Sequence, residues 1–301
     1  MATSGSKDFD LAVDDYVEEA FERCGLQVRT GYDLKTAKRS LNLLFADWAN
    51  RGLNRWTMKQ ETISLANGID TYPLGTLTIS VANSANFSVA ETITGGTSTA
   101  SASVTSKPSS TSMAITVPVG TFSNGETITG GTSGATTTVS SLVSLEDVRA
   151  SIDVLGAVIR QNAGTSNQSD ISISRISRDA YLSLNSKRNS ARPTQYYVDR
   201  QITPIIKLWS VPDSSTAYQL VYDRMVRIDD ADGYTNNAEV PFRFYPCLTA
   251  GLAYYLSIKR APDRVQLLKA IYEEEFERAA SEDRDRSTLS LTPSSTYYNL
   301  I

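Results

Sequence analysis

Apolar residues recur every three to four positions in four stretches of the chain, and each stretch predicts an amphipathic helix. In "DFDLAVDDYVEEAFERCG", Phe9, Val13, Tyr16, Val17, Ala20, Phe21 and Cys24 share one face, and Gly25 ends the run. The second, "DLKTAKRSLNLLFADWANRG", has Asp33 as N-cap and Gly52 as stop, with Leu34, Ala37, Leu41, Leu44, Phe45 and Trp48 inward. A third helix begins near Val240-Pro241 and carries Phe244, Leu248, Leu252, Tyr255 and Leu256, with Gly251 permitting a close helix contact. The fourth follows Ala261-Pro262 and aligns Val265, Leu268, Ile271, Tyr272, Phe276 and Ala279. Between the helices, alternation takes over. "ETISLANGIDTYPL" places two strand-like runs around Asn67-Gly68, which predicts a hairpin. "TQYYVDRQ", "PIIKLWSVP" and "AYQLVYDRMVRI" predict further strands, and "SRDAYLSLNSKR" a short helix.

One segment breaks the pattern. Gly75–Leu142 holds 68 residues, of which 30 are Ser or Thr and only Glu91, Lys107 and Glu126 are charged, with no Asp, Tyr or Trp. Such a composition can describe a linker, yet an internal repeat argues for order. "FSVAETITGGTSTASASVTS" (Phe87–Ser106) and "FSNGETITGGTSGATTTVSS" (Phe122–Ser141) agree at 13 of 20 positions, and "ETITGGTS" is identical in both, 35 positions apart. Each copy reads as strand, Gly-Gly turn and strand, with Thr on exposed strand positions. Two copies are too few for a solenoid, so a small β-sandwich or barrel is expected, with Phe87 and Phe122 as matched core anchors.

Composition narrows the chemistry. The 301 residues include no histidine, which removes Ser-His-Asp and Cys-His catalysis, imidazole zinc sites and the commonest general base. Cys24 and Cys247 lie far apart within helical patterns and read as two buried thiols rather than a disulfide. No phosphate-binding glycine loop is present; "GGTSG" (Gly130–Gly134) lacks the lysine. Carboxylate clusters remain, at Asp14, Asp15, Glu18 and Glu19 and at Glu273, Glu274 and Glu275, but helical spacing makes them solvated faces. No enzyme, no cofactor and no metal site is expected. A net charge of −4 argues against general nucleic-acid affinity. No run approaches the ~18 apolar residues of a membrane span. The N-terminus lacks a secretory layout, so synthesis in the cytoplasm is expected.

"DISISRISRDAYLSLNSKR…ARPTQYYVDRQITPIIKLWSVPDSSTAYQLVYDRM", followed by "EVPFRFYPCLTAGLAYYLSIKRAP", resembles the head-to-tail adaptors of short-tailed bacteriophages, the tail tubular A type. "LNLLFADWANRGLNRWTMKQETISL…TYPL" resembles the start of the same family. The resemblance covers about Asp8–Glu282 apart from the Ser/Thr-rich insert. It implies an α+β fold, a helical bundle core with a β-rich domain, here with an inserted small all-β module made of two repeats. Residues 1–74 and 143–286 would form the adaptor core, 75–142 the module and 287–301 an extended C-terminal arm.

The function so implied is structural. Twelve copies would form a ring under the portal protein at the head–tail junction of a virion. The ring extends the DNA channel and attaches the tail nozzle, a tail tubular B-like protein, and the fibres. Genomic DNA would pass through without sequence-specific binding, and no membrane is involved. In such a ring each contact is heterologous, pairing two different faces of the subunit. The alternative is a tail-associated receptor- or glycan-binding protein acting through the β module, which lacks the Tyr and Trp that stack on sugars. Ser287–Ile301 has no helical period yet ends in Tyr297, Tyr298, Leu300 and Ile301, apolar surface costly to leave in water. Those four residues are the expected portal-binding anchors, on an arm able to reach about 50 Å.

Overall fold

The computed structural model describes residues 9–52, 55–141, 144–233 and 235–284. The chain divides into two compact units, Met1–Trp56 with Ile228–Ile301, and Thr57–Arg227.

The first unit is helical: α1 (Val13–Arg23), α2 (Gly31–Arg51), α5 (Tyr245–Arg260) and α6 (Val265–Glu282). Helix α5 is central, burying Cys247, Leu248, Ala250, Leu252, Ala253 and Leu256 against Tyr16, Ala20, Leu41, Leu44 and Trp48. Gly251 sits where the neighbours come closest: a Cβ there would lie 2.8 Å from Leu44 Cδ2 and 2.9 Å from Tyr272 Cε2. Trp48 Nε1 donates to Tyr272 Oη at 3.0 Å, which satisfies the indole deep in the core. Two boundaries shift from the sequence reading. The N-cap of α2 is Thr30, and Asp33 is the third helical residue, whose carboxylate accepts from Thr30 N at 3.2 Å in a reciprocal box. Phe9 lies ahead of α1 and is exposed, and on α6 Ile271 and Leu267 face outward while Leu268, Tyr272 and Ala279 face in.

The second unit holds all the strands, in three sheets. One sheet has the order β1 (Met58–Ser64), β14 (Tyr218–Val226), β9 (Ser151–Gln161), β10 (Ser169–Ser172). The other runs β11 (Ser174–Arg175), β12 (Gln195–Asp199), β13 (Ile205–Trp209), β2 (Thr71–Pro73), with α4 (Arg178–Ser183) leading into β12. They share one apolar core, Val154, Ile159, Leu220 and Tyr222 from the first with Tyr72, Tyr196, Ile206 and Leu208 from the second. The hairpin expected at Asn67-Gly68 is corrected here. β1 pairs with β14 and β2 with β13, so the turn is a corner between sheets. Tyr72 Oη accepts from Ala66 N at 2.8 Å and holds that corner. Turn residues specify a reversal of the chain, not the partner strand.

The insert is a closed barrel, β3 (Thr78–Val81), β6 (Ser112–Ile115), β5 (Ser101–Ser109), β4 (Thr92–Gly95), β7 (Thr127–Gly130), β8 (Thr136–Ser141), each strand bonded to the next and β8 to β3. Each repeat therefore contributes three strands, one more than its sequence showed. Ile79, Val81, Ile93, Val104, Met113, Ile115, Ile128 and Val139 fill the interior, closed by Phe87 and Phe122. The repeats interlock. β3 pairs with β6 and β8 of the second copy, and β6 with β3 and β5 of the first, so neither repeat closes alone. The pair Thr94↔Thr129 matches equivalent positions of the two copies, 35 residues apart, and marks a pseudo-twofold axis.

The expected helical-bundle core is not what the chain builds. The described residues form six α-helices and 14 strands in three sheets, a mixed fold that is mainly β-rich. Barrel and paired sheets each have an apolar core of their own. The strands thus need no helical scaffold to bury their faces, and the long helical periods overstated the share of the helices.

Symmetry exposes a defect in the first repeat. Ala90 and Thr99 have φ of +70° and +56°, and their equivalents 35 residues on are Gly125 and Gly134, at +79° and +67°. A Cβ in that region costs ~1–2 kcal/mol, partly offset by the ~0.5–1 kcal/mol that glycine loses in folding entropy. Ala90→Gly and Thr99→Gly are expected to stabilise the barrel by about 0.5 kcal/mol each, and Gly125→Ala to destabilise it by about 1 kcal/mol. Denaturant titration of the variants measures all three, and a glycine variant less stable than the parent contradicts the assignment.

Candidate functional site

The duplicated octet forms a reciprocal clamp across the pseudo-twofold axis. Glu91 Oε2, in the first copy, accepts from Ser133 N at 2.9 Å, Thr132 N at 3.3 Å and Ser133 Oγ at 2.8 Å, all in the turn of the second. Glu126 returns the arrangement: its Oε2 accepts from Ser98 N at 2.9 Å and Thr97 N at 3.2 Å, and its Oε1 from Ser98 Oγ at 2.8 Å. Each carboxylate also takes a local amide, Ser88 N on Glu91 and Ser123 N on Glu126. The first glycine of each Gly-Gly must be glycine, because a Cβ on Gly95 would lie 2.7 Å from Glu126 Oε2 and one on Gly130 2.6 Å from Glu91 Oε2. Burial works to raise both carboxyls, but the amide and hydroxyl donors outweigh it and hold both below the ordinary glutamate range. The third charge of the insert, Lys107, donates to Phe87 O at 2.7 Å and Ala85 O at 3.1 Å. All three charges of the module are thus engaged within it.

A second polar centre joins the barrel to the paired sheets. Arg224 lies in the inward row of β14 that also carries Tyr218, Leu220 and Tyr222, and is fully buried. Its Nη2 donates to Glu61 Oε1 at 2.8 Å and Asp147 Oδ1 at 2.7 Å; its Nη1 donates to Ser151 Oγ at 2.7 Å and Asp147 O at 2.9 Å. Asp147 belongs to α3 (Glu146–Ala150), the short helix that follows the barrel. Its other oxygen accepts from Thr76 N at 2.7 Å, and Ser151 Oγ donates to Leu74 O at 2.8 Å. Gly75 N donates to Tyr222 Oη at 2.9 Å. Both chain crossings into the module are therefore tied to one guanidinium. Burial opposes its charge, but the bonds to Asp147 and Glu61 prevail and keep it protonated. Sequence reasoning passed over this residue, although an arginine in phase with Tyr218, Leu220 and Tyr222 was visible in "AYQLVYDRMVRI".

The carboxylates singled out from sequence do not form one site: the α1 set and the α6 set are separate, and only Asp15, Glu18 and Glu19 line a common groove. Asp15 accepts from Ala12 N at 3.0 Å at the start of α1, and Glu19 pairs with Arg23. Glu273 forms a two-pronged pair with Arg51, and Glu274 and Glu275 bind Arg278. Asp14 accepts from Asp15 N, and Glu18 lines a groove of about 520 Å³ floored by Phe9, Leu11, Tyr245 and Pro246. Cys24 and Cys247 are free and buried, and burial pushes the Cys247 thiol up to about 12. Tyr297, Tyr298, Leu300 and Ile301, the expected portal anchors, lie outside the described residues.

What the helical unit does display is apolar surface. Leu43 on α2 is 53% exposed, Ile258 on α5 54% and Leu267 on α6 63%, in positions where solvated helices carry polar residues. Comparison of the chain with protein-family models and with curated proteins finds no match.

Two outcomes follow from the polar centres. The clamp carboxyls have depressed pKa values in the folded state, so the stability they contribute is present at neutral pH and is lost as pH falls through those values, below the ordinary 4.5. Glu91→Gln and Glu126→Gln should each cost about 1–3 kcal/mol at pH 7, by similar amounts. The double variant should show a flatter acid limb, and an unchanged limb would refute the clamp. Arg224→Met should cost about 2–4 kcal/mol, since two carboxylates and a hydroxyl lose their partner. Adding Asp147→Asn should cost less than the sum of the single changes, and a double-mutant cycle by chemical denaturation checks this.

Proposed function

We propose that this chain is a non-enzymatic structural protein of a virion, a head-to-tail adaptor. Twelve copies form a ring under the portal, extend the DNA channel, and carry the tail nozzle and fibres at the head–tail junction. The observation that carries the reading is the outward apolar side chains on α2, α5 and α6, Leu43, Ile258, Leu267 and Ile271. Such side chains on more than one helix supply the two unlike faces that a closed ring of identical subunits needs.

The resemblance motifs support the same reading by their placement. "EVPFRFYP" delivers Phe244, buried against Trp48 at 5.4 Å between ring centroids, and starts the central α5. "LWSVP" closes β13, and "AYQLVYDRM" is β14 with the buried Arg224. These are folding positions, as expected where a family is defined by assembly rather than by a reaction. The module contributes a barrel whose carboxylates are engaged internally, a neutral surface of hydroxyl and small apolar groups. In the ring it serves as a spacer on which tail components dock.

Light scattering of the purified protein mixed with a portal protein of a short-tailed phage tests the assignment. A dilute monomer that assembles into a twelve-fold ring on the portal is expected. Leu43→Asp with Leu267→Asp should leave the monomer folded and abolish the ring. A stable dimer indifferent to portal would overturn the reading.

A further inference from the structure

The short helix α4 opens a strap, residues 178–192, that crosses the outer side of the sheet built from β12 and β13. Three anchors fix it. Trp209 Nε1 donates to Ser186 O at 2.9 Å, Ala191 N to Val211 O at 3.0 Å, and Val211 N to Asn189 O at 2.9 Å. The Tyr181 ring stacks on Tyr197 of β12 at 5.6 Å between centroids. On that aromatic base stand two ammonium groups, Lys187 Nζ 5.9 Å and Lys207 Nζ 5.8 Å from the Tyr181 centroid. Arg178 lies three residues before Tyr181, one helical turn away, and Arg188 and Arg192 continue the strap, all three exposed.

Charge is what sets this surface apart. The chain carries a net charge of −4, yet five cations gather here, and none of the five is in an ion pair among the described residues. The carboxylates nearby are Asp179 on the same helix, Asp70, whose charge reaches Tyr181, Asp199 in the same outward row of β12 as Tyr197, and Asp213 two residues past the Val211 anchor. Elsewhere in the same unit Arg160 is matched to Asp170, Arg175 and Arg200 to Asp153, and Arg224 to Asp147 and Glu61, whereas Lys59, Lys107, Arg149 and Arg227 are more widely spaced along the chain. Lys187 Nζ donates to Leu182 O at 2.9 Å and Leu184 O at 3.2 Å, which fixes its ammonium at the end of α4, and like charges gathered on one strap repel one another and attract an anion.

We infer that the strap binds the sugar–phosphate backbone of double-stranded DNA, without reading its sequence. Exposed Asn185, Ser186 and Ser190 are interleaved with the cations, and neutral hydroxyl and amide donors beside Arg and Lys make up the usual set that contacts phosphate oxygens. A protein partner would need an apolar centre, and Leu182 is the one large exposed apolar side chain of the strap among the described residues. Tyr181 and Tyr197 are stacked on each other and Tyr181 is buried, so the aromatic pair supports the cations and is not offered to unstacked bases. Charge and geometry of the strap carry this by themselves, whatever the chain's place in a virion.

The test is fluorescence anisotropy of the full-length protein with a labelled 30-base-pair duplex of mixed sequence, across a salt series. Wild type should bind two unrelated sequences equally, with log affinity falling linearly in log salt. Replacing Arg178, Arg188 and Arg192 by Ala should weaken binding at low salt by at least about tenfold and reduce the slope by roughly 2.7, at ~0.9 per phosphate contact. The same residues changed to Gln should behave alike, and a thermal melt of each variant confirms folding. A control that removes three exposed cations of the helical unit, Lys35, Arg39 and Lys269, should bind as the parent does. Absence of duplex binding, a strap variant that binds like wild type, or an equal loss in the control would each overturn the assignment.

Discussion

The guanidinium of Arg224 occupies a strand position that Tyr218, Leu220 and Tyr222 would lead one to fill with an apolar side chain, and it binds both ends of the inserted barrel. A charge out of water is tolerated only where partners surround it. Glu61 comes from the neighbouring strand, Asp147 from the helix that leaves the barrel, and Ser151 from the strand that resumes the sheet. Those partners make the chain before and after the module converge on one point. Its Nε–H has no partner among the described residues, a cost that an apolar residue would not carry. An arginine here therefore specifies where the module is attached more than it adds stability.

The repeat obeys the same logic at smaller scale. A carboxylate that capped its own turn would leave each repeat self-sufficient, whereas Glu91 and Glu126 cap each other's turns. Strands β3 and β6 likewise pair only across copies. Duplication thus produced one closed barrel with no free edge, which removes the unpaired strand that would otherwise invite aggregation. The divergence between Ala90 and Gly125, and between Thr99 and Gly134, shows that the copies share a backbone more strictly than they share residues.

Three surfaces of the described residues differ in character. The helical unit turns apolar side chains outward on three helices, the barrel presents a neutral exterior, and the strap beside β12 and β13 concentrates cations. In the proposed adaptor each would serve differently: apolar faces for neighbouring subunits, a neutral module for later components, and a cationic strap for the DNA.

Local periodicity by itself determined the four long helices, the strands β12, β13 and β14, the buried thiols and the ordered, duplicated β module, because each depends on residues close in sequence. The Gly251 contact was legible for the same reason, a small residue in the middle of an apolar face. What depends on partners far along the chain was not legible. The Asn67-Gly68 turn gave no sign that its flanking strands would join different sheets. The Glu91–Ser133 and Glu126–Ser98 bonds span about 40 and 30 residues, so nothing beside the octet's glutamate in sequence marked it as a buried lock. The cations at Arg178, Lys187 and Lys207 looked scattered until the fold stacked Tyr181 on Tyr197 and drew two of them onto one ring. Tertiary structure decided these points because a hydrogen bond or a charge acts through distance in space, which residue spacing records only within an element.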